Sequence, residues 1–339
     1  MKASLVIDYH LNNKIFDVND RTVNRDDYAY SIWLLKQKCK SVNIELSTCD
    51  INKLSDSDMA FYFDLPNNEE KIETEISYLF LFESEIIKLN NWEKLNHNQY
   101  SKVFTWHDEL VDNKKYFKIN FSHKFPESRE AHRSNQKKIA SKKLCTLIAG
   151  NKKVNHPLEL YSEREKTIRW FEQNTSNEFD FYGVGWQKHT SSNRLLRALL
   201  SKMSFLNTLF PPSYPSYKGP VDSKKATLNN YKFAICYENA QLIPGYITEK
   251  IFDCFFAGCI PIYWGAPNVT DHIPANCFID RRKFNSHEEL YHYISSMSEV
   301  EYSVILSNIE DYLFSEQSTP YRAETFAKTI VKHVLADLK

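Results

Sequence analysis

All seven glycines of this 339-residue chain, Gly150, Gly183, Gly185, Gly219, Gly245, Gly258 and Gly265, fall between positions 150 and 265. Average usage would supply roughly 24. A stretch of 149 residues without a glycine cannot contain the turn of a G-x-G-x-x-G dinucleotide fingerprint or of a G-x-x-x-x-G-K-[ST] phosphate loop, and neither pattern occurs later. Glycine-rich linkers and collagen-like repeats are excluded on the same ground. Any phosphate held by this chain is held by another device.

Charge narrows the partners. Lys plus Arg (43) balance Asp plus Glu (43), so no global field draws the protein to nucleic acid or anionic lipid, and an anion site has to be local. The seven cysteines are odd in number and contain no C-x-x-C; most lie in apolar runs such as Leu144-Cys145-Thr146-Leu147-Ile148. They read as reduced core cysteines of a cytosolic protein, not as a disulfide frame or a zinc site. The opening Met1-Lys2-Ala3-Ser4-Leu5-Val6-Ile7-Asp8 meets a charge too early for a signal peptide, and no apolar run approaches the roughly 20 residues that span a bilayer. A soluble protein is expected.

Short apolar runs dominate the first 125 residues: Leu5 to Ile7, Ala60 to Phe63, Tyr78 to Phe82, Lys102 to Trp106 and Phe117 to Phe121, with a helix-like stretch from Tyr28 to Lys38. Near-continuous apolar strands predict a parallel sheet covered on both faces. The polar, basic stretch Arg129 to Lys143 reads as a connection. The alternation then resumes. Strands are expected at 144–149, 179–182, 232–237, 260–264 and 277–279, and helices at 158–172, 194–209 (one or two) and 248–257. A proline-rich loop (Pro211, Pro212, Pro215, Pro220) falls among them, and the chain beyond His287 is largely helical. The pattern predicts an α/β protein of two Rossmann-like, doubly wound domains facing a cleft, with ligands at the carboxyl ends of the strands. The expected division is 1–137 for a first domain, 138–321 for a second, and 322–339 for a terminal helix packing back on the first domain, with Phe326, Ile330, Val331 and Leu335 at helical spacing.

The densest constellation runs from Tyr231-Lys-Phe-Ala-Ile-Cys-Tyr-Glu-Asn239 through Pro244-Gly245 and Tyr246-Ile-Thr-Glu-Lys250 to Pro261-Ile-Tyr-Trp-Gly265. Ile251/Phe255 and Phe252/Phe256 are i,i+4 pairs forming one apolar helix face, with Thr248 placed to cap the helix and Gly258 to stop it. A helix start with free N–H groups, a positive dipole end and Lys250 beside it suits a phosphate. Glu238, Asn239 and Glu249 add acceptors for sugar hydroxyls. By helix geometry alone, an Asn cap with a surface Glu and Lys is the better account.

These residues resemble, in order and spacing, the donor-binding segment of the α-1,3/1,4-fucosyltransferases (glycosyltransferase family 10), whose pattern is Y-K-F, F-E-N, Y-[IV]-T-E-K and P-[IV]-[YV]-[WL]-G. Tyr237 stands where the family usually has Phe. The resemblance continues more weakly through Phe181-Tyr-Gly-Val-Gly185-Trp, Tyr217-Lys-Gly-Pro220 and Phe278-Ile-Asp280. It implies a GT-B fold and a bacterial enzyme that transfers L-fucose from GDP-fucose, as co-substrate, to an oligosaccharide or polysaccharide acceptor. The implied acceptor position is O-3 of GlcNAc in an N-acetyllactosamine-type unit, on a Lewis-type, lipopolysaccharide or O-antigen precursor. No metal or other cofactor and no nucleic acid is implied. The location implied is cytoplasmic, with peripheral membrane association through a lipid-linked glycan. Donor contacts are implied for Arg164, Glu238, Asn239, Tyr246, Thr248, Glu249 and Lys250, with Arg169 the rival of Arg164.

The resemblance also implies a general base just past a strand end in the first domain. Glu83, in Phe80-Leu-Phe-Glu-Ser-Glu85, matches it, and Glu85 is the alternative. Inversion at the sugar carbon requires an acceptor hydroxyl deprotonated opposite the departing diphosphate, which one carboxylate can do. Trp92 and Val103-Phe-Thr-Trp106-His107-Asp108 also look like acceptor-domain features of the family. Three other readings stay open: transfer from a different GDP-deoxyhexose, a non-catalytic nucleotide-sugar-binding module, and a metal-dependent transferase using Asp56-Ser-Asp58. That D-x-D precedes its apolar run instead of following it, which favours a turn or cap.

Overall fold

The computed structural model describes residues 1–66, 74–134, 136–203, 206–209 and 212–338. Two parallel sheets are present, each in its own unit. The first unit comprises Met1–Phe125, Pro244–Glu249 and Gln317–Lys339; the second comprises Pro126–Ile243 and Lys250–Glu316.

In the first unit, β1 (Lys2–Val6), β2 (Glu45–Thr48), β3 (Met59–Phe63), β4 (Ile76–Leu81), β5 (Lys102–Thr105) and β6 (Tyr116–Lys118) lie in the order β2-β1-β3-β4-β5-β6. Tyr78, Leu79, Phe80 and Leu81 of β4 are all buried, as residues of a strand covered on both faces must be. One α-helix, Tyr30–Ser41, links β1 to β2; from β3 to β6 the described connections are loops and short 3-10 turns. The face those crossovers leave bare is covered instead by the helix Ala323–Asp337, whose Phe326, Ile330, Val331 and Val334 enter the same core as Phe61, Phe80 and Phe104. Val334 takes the buried position expected of Leu335, which is 36% exposed. Asp58 of the D-x-D accepts the Lys2 backbone N–H at 2.7 Å, the turn role its position suggested.

In the second unit, β7 (Lys143–Ile148), β8 (Phe179–Tyr182), β9 (Tyr231–Tyr237), β10 (Ile260–Trp264) and β11 (Ile279–Asp280) lie in the order β11-β10-β9-β7-β8, all parallel. The order reverses between β7 and β9, so the carboxyl ends of those two strands mark the switch point where open α/β sheets bind ligands. The helix Glu249–Phe256 buries Ile251, Phe252, Cys254 and Phe255, and its Phe252 and Phe255 rings meet Tyr312. Two helices, Arg194–Lys202 and Leu206–Leu209, occupy the expected 194–209 span; residues 204–205, like Pro211 of the proline-rich loop, lie outside the described residues.

The basic stretch 129–143 is more than a connection. Arg129–Ser134 is helical and Lys142 is buried, its ammonium donating to the Gly258 carbonyl at 2.6 Å. Arg129 and Arg133 both bind Glu310. A polar sequence is held here by charge, which periodicity of apolar residues cannot reveal.

Candidate functional site

Within the second unit, β9 ends at Tyr237, and Glu238 and Asn239 follow it at the switch point. The helix Tyr161–Asn174 supplies Arg164, which is buried; its Nη2 donates to the Tyr237 carbonyl at 2.6 Å and to Asn239 Oδ1 at 3.0 Å. Arg169 lies elsewhere. It donates to Glu172 at 2.9 Å and to the Ser213 carbonyl at 2.7 Å, and stacks over Tyr214. Of the two arginines, only Arg164 joins the β9 end. Lys250 pairs with Glu238 at 3.1 Å, and the Glu238 side chain is fully buried. Two cations therefore meet three consecutive residues at the end of one strand. A buried carboxylate beside Lys250 fixes the ammonium's position, since that charge cannot be left unpaired without large cost.

Other motif residues hold this end of the sheet in shape. The Tyr231 hydroxyl donates to Asp180 at 2.7 Å, and Lys143 and Lys218 bind the same carboxylate. Tyr217 reaches the Gly183 carbonyl at 2.7 Å, and the Gly183 N–H reaches Gly219 at 2.9 Å. Two of the weaker family-like segments, 181–186 and 217–220, are thus hydrogen-bonded to each other. The Tyr237 hydroxyl, absent from the usual Phe, lies 3.4 Å from Thr167 Oγ1, and burial pushes its phenol up to about 12.

Within the first unit, the peptide Pro244–Glu249 brings Tyr246, Thr248 and Glu249. Tyr246 is buried against Trp106, ring centroids 4.6 Å apart, and Thr248 is buried just before the first helical residue. Gly245 has φ +82°, and a Cβ there would fall 2.3 Å from the Trp106 carbonyl. Glycine is required by both conformation and space.

Glu83 follows β4, half-buried, as does Glu85. Asp64, just past β3, ties down this turn: its Oδ1 accepts the Phe82 N–H at 2.7 Å, the Glu83 N–H at 3.1 Å and a bond from Asn91 Nδ2 at 2.7 Å. The Trp92 indole donates to the Glu83 carbonyl at 3.1 Å, and the Trp106 indole to that of Phe82 at 2.9 Å. Burial pushes the Asp64 carboxyl up, opposed by those N–H groups. Tyr9 and Tyr28 share a hydroxyl hydrogen bond of 2.9 Å. Burial raises the Tyr28 phenol, the bond to Tyr9 opposes this, and the charges of Glu83, Asp64 and Glu249 add to the rise. Asp64, Tyr9 and Tyr28 were not picked out from the sequence; the available signal was their place just after β3, just after β1 and just before the first helix.

Two parallel α/β units, the second with a cation pair at its switch point, make an α/β protein of the GT-B type. Residues 141–305 match the family model described as glycosyltransferase family 10 (fucosyltransferase), C-terminal. An α-(1,3)-fucosyltransferase of Helicobacter pylori is 42% identical over 74 residues, 22% of this chain and 15% of that protein. An α-(1,4)-fucosyltransferase of Arabidopsis thaliana is 38% identical over 78 residues, 23% of this chain and 19% of that protein. The matched stretch thus spans less than a fifth of either relative's length. A crystal structure of an α1,3-fucosyltransferase with GDP-fucose has a TM-score of 0.52 at 19% identity, covering 97% of this chain and 90% of that one, a likeness of fold. Residues 141–305, a little under half of the chain, are thus similar to the C-terminal domain of glycosyltransferase family 10.

Proposed function

We propose that this chain is an inverting fucosyltransferase that moves L-fucose from GDP-fucose to a glycan hydroxyl, O-3 of GlcNAc in an N-acetyllactosamine-type unit, without a metal. The observation that carries the reading is the convergence of Arg164 and Lys250 on Tyr237-Glu238-Asn239. Two fixed cations beside a helix N-terminus suit a diphosphate, since guanidinium and ammonium bind phosphate oxygens with charge-assisted hydrogen bonds. Glu249, Asn239, Tyr246 and Thr248 are assigned to the ribose, base and fucose side of the donor.

In the proposed step the Glu83 carboxylate takes the proton of the acceptor hydroxyl as its oxygen bonds to fucose C1. The bond from C1 to the β-phosphate oxygen breaks, and GDP leaves with the electron pair. Lys250 and Arg164 stabilise the charge growing on the diphosphate, the kind of preorganised electrostatic assistance that acts most strongly in the transition state. The acceptor assignment, a Lewis-type or O-antigen precursor met in a bacterial cytoplasm, rests on the family resemblance alone.

Incubation with GDP-fucose and a glycan panel, with product linkage read by NMR, tests the reading; other GDP-deoxyhexoses run alongside test the donor. Absence of both transfer and GDP-fucose binding would overturn it. Transfer is expected to survive EDTA. Glu83→Gln is expected to lower kcat by about 10²–10⁴-fold, the usual yield of a positioned base, with GDP-fucose Kd unchanged. If Glu85→Gln gives that loss and Glu83→Gln does not, the base is Glu85.

A further inference from the structure

The second unit carries a helix with an exposed leucine face. Arg194–Lys202 (Arg-Leu-Leu-Arg-Ala-Leu-Leu-Ser-Lys) is properly started, with Asn193 Oδ1 accepting the Leu195 and Leu196 N–H groups at 2.9 and 3.2 Å. At 100° per residue, Leu195, Leu196, Leu199 and Leu200 share one face and Arg197 and Ser201 the other. Three of these leucines are open to solvent, Leu195 at 82%, Leu196 at 45% and Leu199 at 51% exposure, while Leu200 is half-buried. Leu209, in the next short helix, is 64% exposed. Scattered exposed leucines need no explanation, but three on one helix face do.

The surrounding charge says what covers it. From Phe181 to Val221 the chain contains no Asp or Glu, while it contains Lys188, Arg194, Arg197, Lys202 and Lys218, the last paired with Asp180. In a chain with equal numbers of acids and bases, this is a local one-sign stretch around an exposed leucine face. We propose that the Arg194–Lys202 helix is an interfacial membrane-binding element, which lies in the headgroup region of an anionic bilayer with its leucines inserted and Lys188 and Lys202 facing lipid phosphates. Apolar insertion plus attraction to anionic lipid is how such helices bind, and neither part suffices alone. Among the described residues no helix is long and apolar enough to cross a membrane, so this contact is with one surface. The inference stands apart from the proposed transfer reaction, and its test needs neither donor nor acceptor.

The test is co-sedimentation of the full chain with vesicles of equal phosphatidylglycerol and phosphatidylcholine, and with phosphatidylcholine alone. Binding is expected to the first, at least tenfold weaker to the second, and weakened by 0.5 M salt. A Leu195→Ser/Leu196→Ser/Leu199→Ser variant is expected to lose at least tenfold in partitioning while melting at the wild-type temperature, as these side chains are solvent-exposed. Lys188→Glu/Lys202→Glu is expected to lose the preference for anionic vesicles. Failure of the wild type to sediment with anionic vesicles, or unchanged sedimentation of the leucine variant, overturns the proposal. So does a wild-type dimer in ultracentrifugation that the leucine variant converts to monomer, since the face would then be occupied by a second copy.

Discussion

At the scale of single residues, two glycines control the candidate site from outside it. Gly265 ends β10, and a Cβ there would meet Glu238 Cγ and the Tyr263 hydroxyl, each at 2.5 Å. Both neighbours are fully buried, so neither can swing aside. Gly265→Ala is therefore expected to destabilise the protein by about 1–3 kcal/mol, the cost of overpacking a filled core. It should also weaken GDP-fucose binding by displacing the carboxylate that holds Lys250. Thermal melts and donor titration measure the two effects; an unchanged Kd in a destabilised variant would show that the Glu238–Lys250 pair does not set donor affinity. Gly245→Ala meets backbone instead of side chain, the Trp106 carbonyl, and from a φ of +82° it also pays for a left-handed conformation. The expected loss is larger than at Gly265 and falls on the first unit.

At the scale of elements, what was legible followed from how local the signal was. β8 and β10 lie where their apolar runs place them, and β3 differs from its run by one residue, because buried parallel strands declare themselves as apolar runs. β2 (Glu-Leu-Ser-Thr) passed unnoticed: it is four residues long, has one aliphatic side chain and lies at the sheet edge. Arg164 could be ranked against Arg169 only by position in a resemblance, whereas the structure separates them by their partners, Asn239 for one and Ser213 for the other. Asp64 and Glu83 are 19 positions apart and meet because β3 and β4 are adjacent parallel strands, a fact of topology that no motif records. The Arg129–Ser134 helix illustrates the converse, an element held by charge. Burial raises the Glu310 carboxyl, but bonds from Arg133 and Arg129 outweigh this and hold it below the usual range. A carboxyl depressed in the folded state gives stability that is present above its unfolded pKa and is lost as pH falls through the folded one. Glu310→Gln is accordingly expected to cost about 1–2 kcal/mol at pH 7, after allowance for the exposed arginines. The gap from wild type should close as pH falls below about 4. Urea melts across that range check the sign; a gap that widens on acidification would contradict it.

At the scale of the whole chain, the first unit is completed by its last residues. The helix Ala323–Asp337 inserts Phe326, Ile330, Val331 and Val334 among the core side chains of the first sheet and of the Tyr30–Ser41 helix. Its end is tied down as well. Asp337 pairs with Lys102 at 2.5 Å and accepts the Tyr78 hydroxyl at 2.9 Å, and the His333 ring lies on Phe117, centroids 4.2 Å apart. Burying four such apolar side chains contributes on the order of 8 kcal/mol, an upper estimate. A domain's entire stability is about 5–15 kcal/mol, so the helix is not an accessory to the first unit but a condition of it. A chain ending at Arg322 is expected to lose the cooperative melting of the first unit and to bind a hydrophobic dye. The second unit has its own sheet and core and should retain its β-sheet signal. Ile330→Ala is the graded version, with an expected cost of about 2–5 kcal/mol and the transition preserved. A truncated chain that melts within a few degrees of the full one would mean that the sheet is adequately covered without the helix, which the burial of Ile330 and Val334 to zero exposure argues against. The same coupling bears on function: because Glu83 and Asp64 sit on this sheet, Ile330→Ala should lower the yield of active enzyme more than the kcat of the molecules that remain folded.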